Sequence, residues 1–274
     1  NVVSKQLIGV TYFRKMSSNS KHLDSLLDLG ILPRVVEFLK PQHPSNLQLE
    51  AAKMVTNVAF GEIHHIKMLA DLGVLESLIT LVSADHPGVR EQALWALGNI
   101  ACESVQTRDM VIEANILGPL MWQLGLQSLS GRPDVTNPTL SSMRHVTWIS
   151  QNLARGNPKP QVYLMKRIIF AMAEIIQSSN ATLFGESCRA LANIAEYGPD
   201  SIQAILEHGI LSRMKEASEA MISSSQVVHH DSVGESKTLD EWDLNDSREP
   251  IIPNSKASCE ILPKCGAEGS KKAL

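Results

Sequence analysis

Aromatic residues make up only 4% of this 274-residue chain, and cysteines number four. Strand-forming runs are sparse, so an all-β or doubly wound architecture has little to build on. Cys102, Cys188, Cys259 and Cys265 show neither C-x-x-C nor Cys/His metal spacing, which leaves buried or free thiols in a reducing compartment. His229, His230, Cys259 and Cys265 lack the spacing for a metal site, and no cofactor is expected. No excess of positive charge is present. The formal net charge is -4, so nothing favours nonspecific nucleic-acid binding. No apolar run is long enough to span a bilayer, no secretory signal opens the sequence, and no membrane partner is expected. Phosphate-cradling glycine loops and H-E-x-x-H helices are missing. Ser18-Asn19-Ser20-Lys21 fits S-x-x-K without its companion motifs. An enzyme is therefore not expected.

What the chain does have is a repeated helix. Glu91 to Ala101 reads as amphipathic, with Leu94, Leu97, Ile100 and Ala101 on the core side. Trp95 and Asn99 lie four apart and share one stripe. Trp148 and Asn152 repeat the pair between Met143 and Ala154. Weaker copies place Lys53 before Asn57 and Arg189 before Asn193. The four asparagines recur at roughly 40 to 50 residues, the period of armadillo or HEAT repeats. An aromatic and a carboxamide repeated on matching faces form a ladder suited to an extended ligand. Core filling by the tryptophans and inter-helix bonding by the asparagines are the competing roles.

The units share a common order. A first apolar helix over residues 4–17 leads in. Gly30 and Pro33 can end one helix and open the next, and Ser45-Asn46-Leu47-Gln48 fits a capping box. Gly73, Asn115 and Gly209 stand at matching turns, and a turn at Asp85-His86-Pro87-Gly88 introduces the Trp95 helix. The fourth unit is less regular. A polar insertion around Ser128 to Asp134 and Asn137-Pro138 reads as a surface loop. Residues 1–221 thus predict an all-α solenoid of about four to five repeats. Residues 222–274, rich in Ser, Asp, Glu and Lys, predict a disordered polar and acidic tail. Within it Asp240 to Asp246, carrying Trp242 and Leu244, reads as solvated chain or a short partner motif.

These residues resemble the importin-α family of armadillo nuclear-import adaptors. The run around Trp95 carries the resemblance, together with Arg34 to Leu39, Leu49 to Ala52 and Gly198-Pro199-Asp200, across about residues 5–215. It implies a right-handed superhelix whose concave groove takes lysine-rich localisation signals, and residence in cytoplasm and nucleus. By resemblance Trp95, Trp148, Asn57, Asn99, Asn152 and Asn193 line that groove. Gly61 and Glu103 hold a key lysine, and Ser18, Gln92 and Arg155 match further groove positions. Several positions depart from the family. Lys53 and Arg189 replace groove tryptophans, Asn193 replaces an aromatic, Ile66 stands in place of a threonine, and Glu103 in place of an aspartate. The chain begins at Asn1 rather than Met, so sequence is expected to precede it, and importin-β is expected as a partner only if that sequence supplies a basic segment. The alternative is a divergent armadillo scaffold for other partners. On this organisation limited proteolysis is expected to cut first beyond Met221. Rapid cleavage within residues 90–110 would contradict it.

Overall fold

A computed structural model of the chain describes residues 2–19, 23–126, 139–178, 180–217 and 219–220. The expectations for the loop around Ser128 to Asn137-Pro138 and for the tail beyond Met221 lie outside these residues. The described residues contain helices and no strand. Three consecutive units each have three helices. The first is α2 (Leu23–Leu27), α3 (Leu32–Glu37) and α4 (Ser45–Ala59). The second is α5 (Ile63–Asp71), α6 (Val74–Leu81) and α7 (Pro87–Glu103). The third is α8 (Val105–Glu113), α9 (Leu117–Gln123) and α10 (Leu140–Leu153). Ahead of them stands α1 (Val2–Ser17). After them come α11 (Val162–Ile175), α12 (Ala181–Ala195) and α13 (Pro199–Glu207), then helical residues 210–217.

The long helices α1, α4, α7, α10 and α12 pack in that order, each on the next. They form the spine of an armadillo-type solenoid. One apolar core runs without a break from Val10 to Ile210 beneath it. No single unit buries its own apolar face, so stacking creates the core.

The turns between first and second helices need a left-handed residue. Gly30, Gly73 and Gly209 supply it at φ of 68°, 71° and 65°. Asn115 does the same at 64°, the one non-glycine described residue with positive φ, as asparagine's tolerance of that region allows. From Val162 to Ile175 no Gly, Asn or Pro interrupts the sequence, and there the first two helices are fused into α11. The irregularity of the fourth unit is this missing stop signal.

The capping box at Ser45 is not formed. Pro44 caps α4 without a side-chain bond. Gln48 is buried and instead reaches back, its Nε2 donating to Lys40 O at 3.0 Å. Its Nε2 also lies 3.4 Å from the carbonyl of buried Leu39, so a buried acceptor past the end of α3 gains a donor, which outweighs what an exposed cap gains. One unit later Arg90 Nη1 serves the same place, donating to Ala84 O and Asp85 O at 2.9 Å. A second set of donors joins successive second helices. Gln123 Nε2 donates to Val82 O at 2.6 Å, and Arg213 Nε donates to Ile176 O at 3.2 Å.

Arg108 is the largest fully buried side chain, at 2% exposure. Its guanidinium donates to Arg155 O, to Pro158 O at 3.0 Å and to the Asp109 carboxylate at 2.7 Å. It thereby holds the connection after α10 down on α8. Arg108→Ala strips donors from two carbonyls and is expected to destabilise the fold by about 2 to 4 kcal/mol. Urea unfolding should show a lower midpoint, with faster cleavage within residues 155–161. An unchanged midpoint would show that the clamp carries no stability.

Candidate functional site

The long helices set the candidate site by their register. Asn57 Nδ2 on α4 donates to Arg14 O on α1 at 3.1 Å. Asn99 Nδ2 on α7 donates to Thr56 O on α4 at 3.3 Å. Asn152 Nδ2 on α10 donates to Gly98 O on α7 at 3.2 Å. Each amide therefore grips the residue that precedes the ladder position on the helix before it. Asn193 makes no such bond, and it is Gln151 Nε2 that reaches α12, donating to Glu186 O at 2.9 Å. The expected ladder is thus a set of inter-helix staples for three of its four asparagines. Asn99 is fully buried and Asn152 nearly so, so both act in the stack's stability and offer almost no surface in this conformation.

The two tryptophans differ. Trp148 is half-buried and packs on the apolar core. Its ring lies against Gly98 of α7, where an added Cβ would fall 2.0 Å from Trp148 Cζ3. Trp95 is half-buried and not among the side chains packed on that core. Its indole Nε1–H and the Asn99 Oδ1 acceptor are shielded from solvent with no partner in the structure.

The remaining expected residues lie on α4, α5, α7 and α12 or the segments just past α1, α4 and α10. Gln92 Nε2 donates to Thr56 Oγ1 at 2.6 Å. Arg155 Nη2 donates to Asn152 Oδ1 at 2.7 Å, so both functions of that carboxamide are engaged, and it lies 3.3 Å from Cys102 Sγ. Glu103 is the last residue of α7 and is half-buried. Gly61 is half-buried in the turn after α4, its N–H donating to Val58 O. Ser18 is exposed just past α1, its hydroxyl donating to Lys15 O. Ile66 is buried in the core, so no hydroxyl stands there. Lys53 Nζ lies 2.9 Å from Glu50, and that carboxylate also takes Arg14 Nε at 2.6 Å. Burial works to raise the Glu50 carboxyl, but hydrogen bonds from Lys53 and Arg14 outweigh it and hold it below the ordinary glutamate range. Arg189, at the far end, is exposed.

Comparison with known proteins follows the geometry. The armadillo/beta-catenin-like repeat family matches residues 63–102, which cover α5 to α7. Importin subunit alpha-5 of Arabidopsis thaliana is 38% identical over 78% of this chain and 40% of its own length. Importin subunit alpha-1b of Oryza sativa subsp. japonica is 33% identical over 77% of this chain and 38% of its own. An engineered protein of known structure superposes with a TM-score of 0.66 at 27% identity, covering 78% of this chain and 84% of that one. A designed armadillo repeat protein in complex with the peptide (KR)4 shares the fold, with a TM-score of 0.63 at 23% identity over 77% of this chain and 82% of that one. The chain is an armadillo-repeat protein related to the importin-α subunits. It spans about two fifths of the length of those importin relatives.

One further cluster in this importin-α-related stack has no signal in the sequence, because its members lie some forty residues apart. Asp24 of α2 accepts from His65 Nε2 at 2.7 Å and His64 Nε2 at 3.0 Å. The three ligand atoms lie within 4.8 Å of one another, close enough to share a metal ion. The tautomer argues otherwise. Glu62 N–H donates to His65 Nδ1 at 2.9 Å, which leaves the neutral ring's proton on Nε2, where a metal would need a lone pair. The hydrogen bonds from His64 and then His65 hold the Asp24 carboxyl below its ordinary range. The cluster acts as a clasp between α2 and α5.

Gly98→Ala separates packing from helix propensity. Alanine favours a helix interior over glycine by about 1 kcal/mol. Displacing the Trp148 ring costs about 1 to 3 kcal/mol. The expected result is net destabilisation with a changed Trp148 fluorescence, read in a background where Trp95, Trp122 and Trp242 are replaced by Phe. A stabilised protein would show that the ring does not seat on Gly98.

Proposed function

We propose that this chain is a cargo adaptor of nuclear import, which takes lysine-rich localisation signals along the face of its long helices. The observation that carries this reading is the centre of that face. Trp95 offers an aromatic surface free of the core, and its unpaired indole N–H stands one helical turn from the unpaired Asn99 carbonyl. A lysine stem and ammonium on such a ring gain about 0.5 to 2 kcal/mol. The two orphaned atoms are themselves shielded from solvent, so a ligand's main chain pairs with them only after a local shift of these side chains, and leaving such groups unpaired costs about 1 to 3 kcal/mol each.

The names of the curated relatives support the same reading, since they are importin alpha subunits. The designed armadillo protein with its (KR)4 peptide shows that a stack of this fold admits a basic ligand. Glu103 supplies negative charge at the end of the Trp95 helix, and Gly61, Gln92, Ser18 and Arg155 border the path. Import activity of this kind places the protein in both cytoplasm and nucleus. The second reading is a scaffold for other partners. It is favoured by Arg155, which already occupies the Asn152 acceptor oxygen that a signal peptide would need.

Binding of a fluorescently labelled lysine-rich signal peptide, followed by anisotropy, tests this. Alanine at Asn99 or Asn152 is not a clean variant, because both amides bond the neighbouring helix. Trp95→Ala is. It should weaken binding by about two- to thirty-fold with little change in the unfolding midpoint. Affinity should also fall with salt, because attraction of lysine to Glu103 is partly screened. No binding, or binding indifferent to Trp95→Ala, would favour the scaffold.

A further inference from the structure

The staple geometry places every residue of the face in rows. Asn57 grips Arg14 O as Asn99 grips Thr56 O, so Lys15 on α1 is the counterpart of Asn57. The row that holds the tryptophans therefore reads Thr11, Lys53, Trp95 and Trp148 from α1 to α10, and Arg189 joins it on α12 by sequence spacing alone, four residues before Asn193. Two aromatic rungs stand at the centre, with cationic rungs on either side.

The charge at each end is not cancelled internally. At one end Glu50 is a single carboxylate shared by Arg14 and Lys53, which leaves one positive charge over. Lys15, exposed beside them, has no ion pair among the described residues. At the other end Arg189 makes no hydrogen bond or close ion pair among the described residues. Its acidic neighbour Glu186 is one carboxylate that attracts both Arg189 and Arg144, and burial raises its pKa against that pull. An all-lysine ligand long enough to cover five rungs meets like charge at both ends.

We propose that this face selects a short basic core flanked on both sides by acidic residues, the core at Trp95 and Trp148 and the acids at Lys53 with Lys15 and at Arg189. The proposal rests on the groove reading above and specifies its ligand. Packed helices stand about 8 to 10 Å apart and an extended chain advances about 3.3 Å per residue. Neighbouring rungs are thus served by residues about three positions apart, which sets the acids about three positions from the core lysines. Because both flanks are acidic, the pattern holds for either direction of the peptide. Lys53 is 38% exposed and can leave Glu50 to Arg14 as it turns to the ligand.

The test uses the full chain and three labelled peptides with one Lys-Lys-Arg-Lys core, flanked by Asp/Glu, by Ser/Gly or by lysine. The expected order of affinity is acid-flanked, neutral, lysine-flanked, with about three- to ten-fold between the extremes at low salt. That spread should narrow as salt rises. Lys53→Trp combined with Arg189→Trp should reverse the order, and the series on the unaltered chain decides the matter even where that variant folds poorly. Equal affinities, or a lysine-flanked peptide that binds tightest, overturn this inference and leave the groove reading standing. Failure of all three to bind, or binding unaffected by Trp95→Ala, overturns both.

Discussion

The structure depends on a side-chain amide that reaches across to the backbone of the preceding long helix. Helical backbone carbonyls already accept within their own helix, yet each has a second lone pair. Asn57, Asn99 and Asn152 use that spare capacity at Arg14, Thr56 and Gly98. Apolar packing alone holds helices together without choosing a register. A directional bond at a fixed position does choose one, and repeating it down the stack puts corresponding residues in line. The order of Lys53, Trp95 and Trp148 along one face follows from that alignment.

The same bonds limit the face that they build. An amide that staples two helices is not a free amide, and Arg155 takes the remaining oxygen of Asn152. Asn99 keeps an unpaired oxygen, and Trp95 an unpaired N–H, at the middle of the row. On the proposed reading an extended ligand is held chiefly at this centre, and charge on either side of it sets which flanks are accepted. Gly98 belongs to this arrangement as well. A side chain there would evict the Trp148 ring, so a residue that weakens a helix is kept where two helices approach closely.

Much of the fold is legible before any coordinates. The apolar period marks the long helices, and the left-handed turn residues at Gly30, Gly73, Asn115 and Gly209 mark where first helices stop, because steric limits on φ act locally. The lack of any such residue between Val162 and Ile175 marks the fused helix by the same rule. The Ser45 capping box is the instructive miss. Its pattern is local and correct in form, but the carbonyls of Leu39 and Lys40, just past the end of α3, drew Gln48 away.

The sequence by itself determined the helical period, the turn positions and the recurrence of Trp and Asn, since each is written in neighbouring residues. Only the tertiary structure decided what the recurring residues do. Whether Asn99 faces a ligand or a carbonyl and whether Arg108 is exposed or buried depend on groups that lie some forty to fifty residues away, as does the sharing of Lys53's neighbour Glu50 with Arg14, 36 residues before it. Spacing can show that such residues repeat. The partners they meet are set by how one helix lies on the next, which is a property of the packed stack and of no single helix.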